Sequence, residues 1–122
     1  MADKLKLSEE TSTKLDHLSA RLDLRRNIVC RMAIGKSFSI GTPVDKKITG
    51  ISIGYEFNRT TIMGSDEYVI KAVATNIQKC VLNENVFFNI IIRNHIERGI
   101  EALFAEYERI NSPTHFMKKL TE

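Results

Sequence analysis

The chain has 122 residues, 43% hydrophobic and 27% charged, a size and balance that predict one domain with one core and exclude a large multi-domain enzyme. No apolar run approaches the roughly 20 residues a membrane span needs, and the chain is too apolar for intrinsic disorder. Net charge is only +3, from 18 Lys and Arg against 15 Asp and Glu. It is unevenly spread: residues 1–40 hold eight cations and five anions, 41–82 five and four, 83–122 five and six. Within 14–36 six cations, Lys14, Arg21, Arg25, Arg26, Arg31 and Lys36, face only Asp16 and Asp23, a basic patch suited to an acidic partner. Met1–Leu7 has no long apolar core or cleavage site, and Cys30 and Cys80 match no zinc or redox spacing. Two free thiols and a cytoplasmic setting are expected.

Lys4-Leu5-Lys6-Leu7 alternates as a short half-buried strand does, and Ser8 stands where a helix N-cap would, followed by Glu9 and Glu10. From about Glu9 to Leu22, Thr11, Leu15, Leu18 and Leu22 form an apolar stripe beside a basic row of Lys14, His17 and Arg21. After a break at Asp23-Leu24 a second helix is predicted from about Arg26 to Ser37, with Ile28, Val29, Met32 and Ala33 inward. Gly41 to Gly64 is rich in glycine, and Ile51, Ile53, Tyr55 and Phe57 alternate, so a loop with short extended pieces is expected. Ser65 is placed to cap a helix running to about Cys80 on Val69, Ala72, Val73 and Ile77, and Asn83 opens the last helical region. There Val86 to Ile92 is apolar nearly all round, to be buried by the chain's own fold or by a neighbouring subunit. Ile96, Ile100, Leu103, Tyr107 and Ile110 make a narrow seam, read either as core packing or as a subunit contact. Together the two segments offer more apolar surface than a helical monomer of this size is expected to cover, which predicts a homo-oligomer. Gly99 either breaks the seam's helix or admits another backbone closely, and Ser112-Pro113 is expected to stop it, leaving a tail at 112–122. The expected class is mainly α, a compact helical domain with a short N-terminal strand, short extended segments in the middle and a ribbon-helix-helix-like N-terminal portion. Over 1–122 its parts are a basic strand-helix-helix portion (1–40), a Gly-rich connector (41–64), helices (65–111) and the tail.

His17, His95 and His115 fall in no metal-ligand spacing, and no metal or cofactor site is expected. His95, Glu97 and Arg98 cluster in an apolar helix, but residues two apart on a helix point apart, which favours a structural histidine over an acid/base pair. No phosphate-cradling or dinucleotide glycine motif is present. Arg25-Arg26 is the physically odd feature, because cations at a helix N-terminus oppose the helix dipole. Either Asp23 neutralises the spot and the arginines are solvated, or the helix start, the two guanidinium groups and the Lys14 and Arg21 row form a phosphate site. A nucleic-acid backbone is the obvious anion.

Three stretches carry a family resemblance: Leu24-Arg25-Arg26-Asn27-Ile28 with Arg31-Met32-Ala33, then Gly54-Tyr55-Glu56-Phe57-Asn58-Arg59, then His95-Ile96-Glu97-Arg98-Gly99-Ile100. In this order, spread over roughly Leu5 to Leu103, they resemble the DndE family of DNA sulfur-modification proteins. Arg25-Arg26 departs from the Thr-Pro usual there. The resemblance implies a small, helical, non-enzymatic subunit of the machinery that replaces a non-bridging phosphate oxygen of bacterial DNA with sulfur. It also implies a homo-tetramer on duplex DNA, nicked duplex by preference, with the other modification proteins as partners. Two further readings stand beside it. A ribbon-helix-helix repressor matches the strand-helix-helix order of residues 4–37 and would set Lys4 and Lys6 in the major groove of its operator as a dimer. A nuclease would need a carboxylate or histidine cluster, and none assembles from the sequence.

Overall fold

The computed structural model describes residues 4–48 and 50–110. Along them run β1 (Lys4–Lys6), α1 (Glu9–Leu22), α2 (Arg26–Ile40), β2 (Glu56–Asn58), α3 (Arg59–Met63), α4 (Glu67–Gln78), α5 (Glu84–Val86) and α6 (Arg93–Ile110). A 3-10 turn, Gly64–Asp66, leads into α4, and a π-helical stretch, Phe87–Ile92, joins α5 to α6. The expected mainly helical class holds. The predicted stop at Ser112-Pro113, His115 and the tail 112–122 lie outside the described residues.

Ser8 caps α1 as its position predicts: its hydroxyl accepts from the Thr11 N–H at 3.2 Å, and Glu9 and Glu10 fill the first turn, where carboxylates meet the positive end of the helix dipole. α1 buries Thr11, Ser12, Leu15 and Leu18. At its end Asp23 adopts the left-handed conformation, φ 55°, and donates its N–H to the Ser19 carbonyl. Leu24 donates to the same carbonyl at 3.1 Å, and the chain turns back into α2.

β1 pairs antiparallel with β2, Leu5 opposite Phe57. The N-terminal strand thus finds its partner inside the chain, whereas the repressor reading needs it in the groove of an operator. The segment read as a connector with extended pieces holds a helical turn, α3, which buries Ile62 and Met63. The alternation that suggested strand ends at Phe57, and two adjacent apolar residues then have to reach the same core. Ser65 is not the cap of α4; Asp66 holds that position without a side-chain bond, because the 3-10 turn has already begun to wind the chain. Val69 and Val73 of α4 face outward, 66% and 36% exposed.

The buried side chains form one cluster to which every helix and strand contributes except α5, β2 and the 3-10 turn. Phe87, Phe88, Ile91 and Ile92 are fully covered, as are Ile96 and Ile100, with Leu103 and Tyr107 nearly so. Of the two readings open for these segments, burial by the chain's own fold is the one observed: α2 and α1 cover the seam, so these side chains supply no exposed apolar surface for self-association. α6 runs unbroken through Gly99, and the glycine serves the other purpose open to it. A Cβ there would lie 1.9 Å from the Ala33 carbonyl oxygen, so α2 and α6 touch backbone to backbone.

Candidate nucleic-acid interface

α1 and α6 lie side by side and run in the same direction, as their side-chain partners show in order. Ser8 and Thr11 meet Glu97, Lys14 meets Glu101, and His17 meets Phe104, Tyr107 and Glu108. The basic row predicted on α1 is therefore largely answered by an acidic row on α6. Lys14 Nζ sits 2.6 Å from Glu101 and 3.3 Å from Glu10. The hydrogen bond it donates to Glu101 foremost, helped by the one to Glu10, holds the ammonium above its ordinary pKa. Arg21 lies one turn beyond His17, exposed, with no side-chain partner among the described residues.

Of the six cations expected to carry DNA affinity, Arg21, Arg25 and Arg26 come together at the corner where α1 turns into α2. Arg25 is the N-cap of α2, with φ −66° and ψ 149°, and makes no side-chain cap bond; the first turn contains no acidic residue. Its guanidinium is exposed and without a partner among the described residues, so this helix start offers unpaired N–H groups beside two cations. Arg26 is engaged: Nε donates to Asp16 Oδ1 at 2.8 Å, and the guanidinium stacks 4.4 Å from the Tyr55 ring centre. The Tyr55 hydroxyl donates to the other Asp16 oxygen at 2.6 Å and, with Arg26, draws the Asp16 pKa down. It is Asp16, ten residues back on the neighbouring helix, and not Asp23, that compensates Arg26, and Arg25 stays uncompensated among the described residues.

The remaining two sit further along α2. Arg31 donates to the Ile62 and Thr61 carbonyls at 2.7 and 3.2 Å, satisfying the end of α3. Lys36 pairs with Glu106 of α6 at 2.9 Å. Lys46 and Lys47 are exposed cations in the loop that follows α2, and Asn94 pins that loop by donating to the Asp45 and Lys47 carbonyls at 3.0 and 2.7 Å.

The His95–Arg98 motif turns inward as structural bonding. Arg98 donates from Nε to Ser37 Oγ at 2.8 Å and from Nη2 to the Ser37 and Thr42 carbonyls at 2.9 Å, tying off the end of α2. Ser37 Oγ lies 2.7 Å from His95 Nδ1, and burial with the nearby Arg98 charge lowers the His95 pKa to about 4. Glu97 serves a separate network. It accepts from the Ser8 N–H and hydroxyl at 2.9 Å and from the Thr11 hydroxyl at 2.8 Å, while fully buried Arg93 lies 3.8 Å away. The structural role expected of His95 holds, but the partners of His95, Arg98 and Glu97 lie 58, 61 and 89 residues distant and leave no local signal in the sequence. Among the described residues no group of three His, Cys, Asp or Glu side chains is placed to hold a metal, and no helix is long and apolar enough to cross a membrane.

The chain matches the family described as DNA sulphur modification protein DndE over residues 4–111. Its fold is similar to the crystal structure of DndE from Escherichia coli B7A, a protein involved in DNA phosphorothioation modification. The TM-score is 0.68 at 19% identity, covering 83% of this chain and 95% of that one. A double glycine-to-lysine mutant of DndE, likewise involved in DNA phosphorothioation, matches with a TM-score of 0.65 at 19% identity over 82% and 95% of the two chains. No curated protein matches the chain. With a family match over nearly its whole length and the fold of DndE structures, this chain belongs to the DndE family of DNA sulphur modification proteins.

Proposed function

We propose that this chain is a non-enzymatic, DNA-binding subunit of the phosphorothioation machinery: one DndE-like domain that assembles as a homo-tetramer in the cytoplasm and holds nicked duplex DNA for the other modification proteins. The observation that carries the DNA-binding reading is the α1–α2 corner, where exposed Arg21 and Arg25 flank the uncapped start of α2. Backbone N–H groups at a helix start and guanidinium groups both donate to phosphate oxygens, which suits this corner to a phosphate. Arg26, Lys14, Arg31 and Lys36 belong to the same basic stretch, but each is committed to a partner. They contribute to the field around the corner more than to direct phosphate contacts. The non-enzymatic reading is supported by the occupations of His95 and Glu97, which hold Ser37 and the start of α1.

A gel-shift titration over a range of salt, on intact and nicked duplexes of the same sequence, tests this. Each phosphate contact contributes about 0.9 to the slope of log affinity against log salt. Arg21→Ala with Arg25→Ala is therefore expected to lower the slope by about two, equally for all sequences, and tighter binding to the nicked duplex is expected for the unaltered chain. An unchanged slope in the double variant places the DNA face elsewhere, with Lys46 and Lys47 the next cations to remove. A change in sequence preference at constant slope favours the repressor reading.

A further inference from the structure

The opposite end of α1 has a different character. A groove of about 470 Å³ lies between the start of α1 and the strap of residues 50–53, and its walls include Glu9, Glu10, Glu101, Ile51 and Ile53. Ile51 and Ile53 are 73% and 60% exposed, an unusual display for two β-branched apolar residues two positions apart. The strap is fixed in place. Gly54 donates its N–H to the Leu7 carbonyl at 2.8 Å, and the Tyr55 N–H donates to Ser12 Oγ at 2.9 Å. A Cβ on Gly54 would lie 2.1 Å from that same oxygen, so the strap is seated tightly on α1. Its isoleucines are held outward by a well-bonded backbone.

The start of α1 accounts for Glu9 and Glu10 as helix-stabilising carboxylates, but it does not account for the isoleucines beside them. Lys14 is the one cation that touches Glu10 and Glu101, and Glu9 has no side-chain partner among the described residues, which leaves the rim net negative. A second depression, walled by Pro43, Val44, Asp45 and Arg98, shares Glu97 and Glu101 with the first and adds one cation to an otherwise acidic and apolar surface. We propose that this trough docks a partner protein through a segment in which Lys or Arg alternates with large apolar side chains, the cations meeting Glu9, Glu10 and Glu101 and the apolar groups covering Ile51 and Ile53. Such a surface pairs electrostatic complementarity with apolar burial, the combination that distinguishes protein recognition from phosphate binding. It lies some 20 Å along α1 from Arg21, so the segment and a phosphate backbone would not compete. The inference does not depend on the DNA-binding reading.

The test is selection of peptides from a random 12-residue library on the full chain, followed by titration of the enriched peptides. Enrichment of Lys or Arg together with apolar residues is expected, with binding at least tenfold weaker to Ile51→Ser with Ile53→Ser, and to Glu9→Gln with Glu10→Gln. All four sites are on the surface, and circular dichroism verifies that each variant folds. Duplex DNA affinity is expected to be unchanged in the isoleucine variant, which separates failure here from failure of the DNA-binding proposal. Three results overturn the inference: no enrichment or enrichment of acidic peptides, enriched peptides that bind both variants as well as the unaltered chain, or native mass showing that the isoleucine variant has lost self-association, which makes a second copy the occupant.

Discussion

Gly99→Ala and Gly35→Ala are the same chemical change on two packed helices, and they are expected to have opposite signs. At Gly99 the added methyl would lie 1.9 Å from the carbonyl oxygen, 2.5 Å from the carbonyl carbon and 2.7 Å from the Cα of Ala33. Favourable carbon contacts lie near 3.5–4.0 Å, so α2 and α6 must part by about 1 Å or more, and backbone atoms have no rotamer with which to yield. Overpacking of this kind costs about 1–3 kcal/mol. The separation also strains the Arg98 and His95 bonds to Ser37, one turn away on the same interface, at roughly 1 kcal/mol each. Better helix propensity returns at most about 1 kcal/mol, leaving a net loss of about 2–4 kcal/mol. For a domain near 100 residues that lowers Tm by roughly 10–20 °C. Gly35 lies within α2 with nothing within 4 Å of its would-be Cβ, so alanine there is expected to stabilise by about 0.5–1 kcal/mol. Urea and thermal unfolding of both variants measure the pair. A Gly99→Ala protein as stable as the unaltered chain would refute the backbone crossing.

Three other outcomes are expected. Because the folded His95 pKa lies at about 4 against 6.5 for the free side chain, the unfolded chain binds the extra proton and stability falls as pH drops below 6.5, by on the order of 2 kcal/mol at pH 5. Urea midpoints across that window should flatten in His95→Gln. Glu97→Gln, which removes the charge facing buried Arg93 and weakens the acceptor of three donors, is expected to cost about 2–4 kcal/mol, whereas Glu101→Gln, whose partner is on the surface, should cost under about 1 kcal/mol in the same assay. Maleimide labelling should modify half-exposed Cys80 in the native protein and reach Cys30 only on unfolding, because burial pushes the Cys30 thiol up to about 12 and hides it from reagent.

Elements with a local signal were legible in the residues. Ser8, Glu9 and Glu10 mark the start of α1, and Leu15 and Leu18 mark its buried face. α3 was hidden because five residues give no period to read. At Gly99 the sequence posed two alternatives, and the Ala33 backbone, more than 60 positions away in the chain, decides between them. The basic patch could be counted from composition, but its division into free and committed cations could not. Asp16 and Glu106 choose their partners through the packing of α1, α2 and α6, and leave only Arg21 and Arg25 unclaimed at the corner. For the apolar segments Val86 to Ile92 and Ile96 to Ile110 the residues leave two covers open, the chain's own fold or a second copy, since periodicity reports that a face is buried and not what buries it.

The carboxylate of Glu97 has a consequence for the order in which the chain can become itself. The start of α1 is bonded to a residue 89 positions later, so a ribosome that has made α1 and α2 has made helices whose first turn still lacks its acceptor. Contacts of such long sequence separation slow folding, because loop closure must precede the bonds that reward it. Until α6 is synthesised, α1 has α2 beside it but not the helix that carries the acidic row, and the nascent chain passes through a stage with part of α1's apolar face open to solvent or to a chaperone.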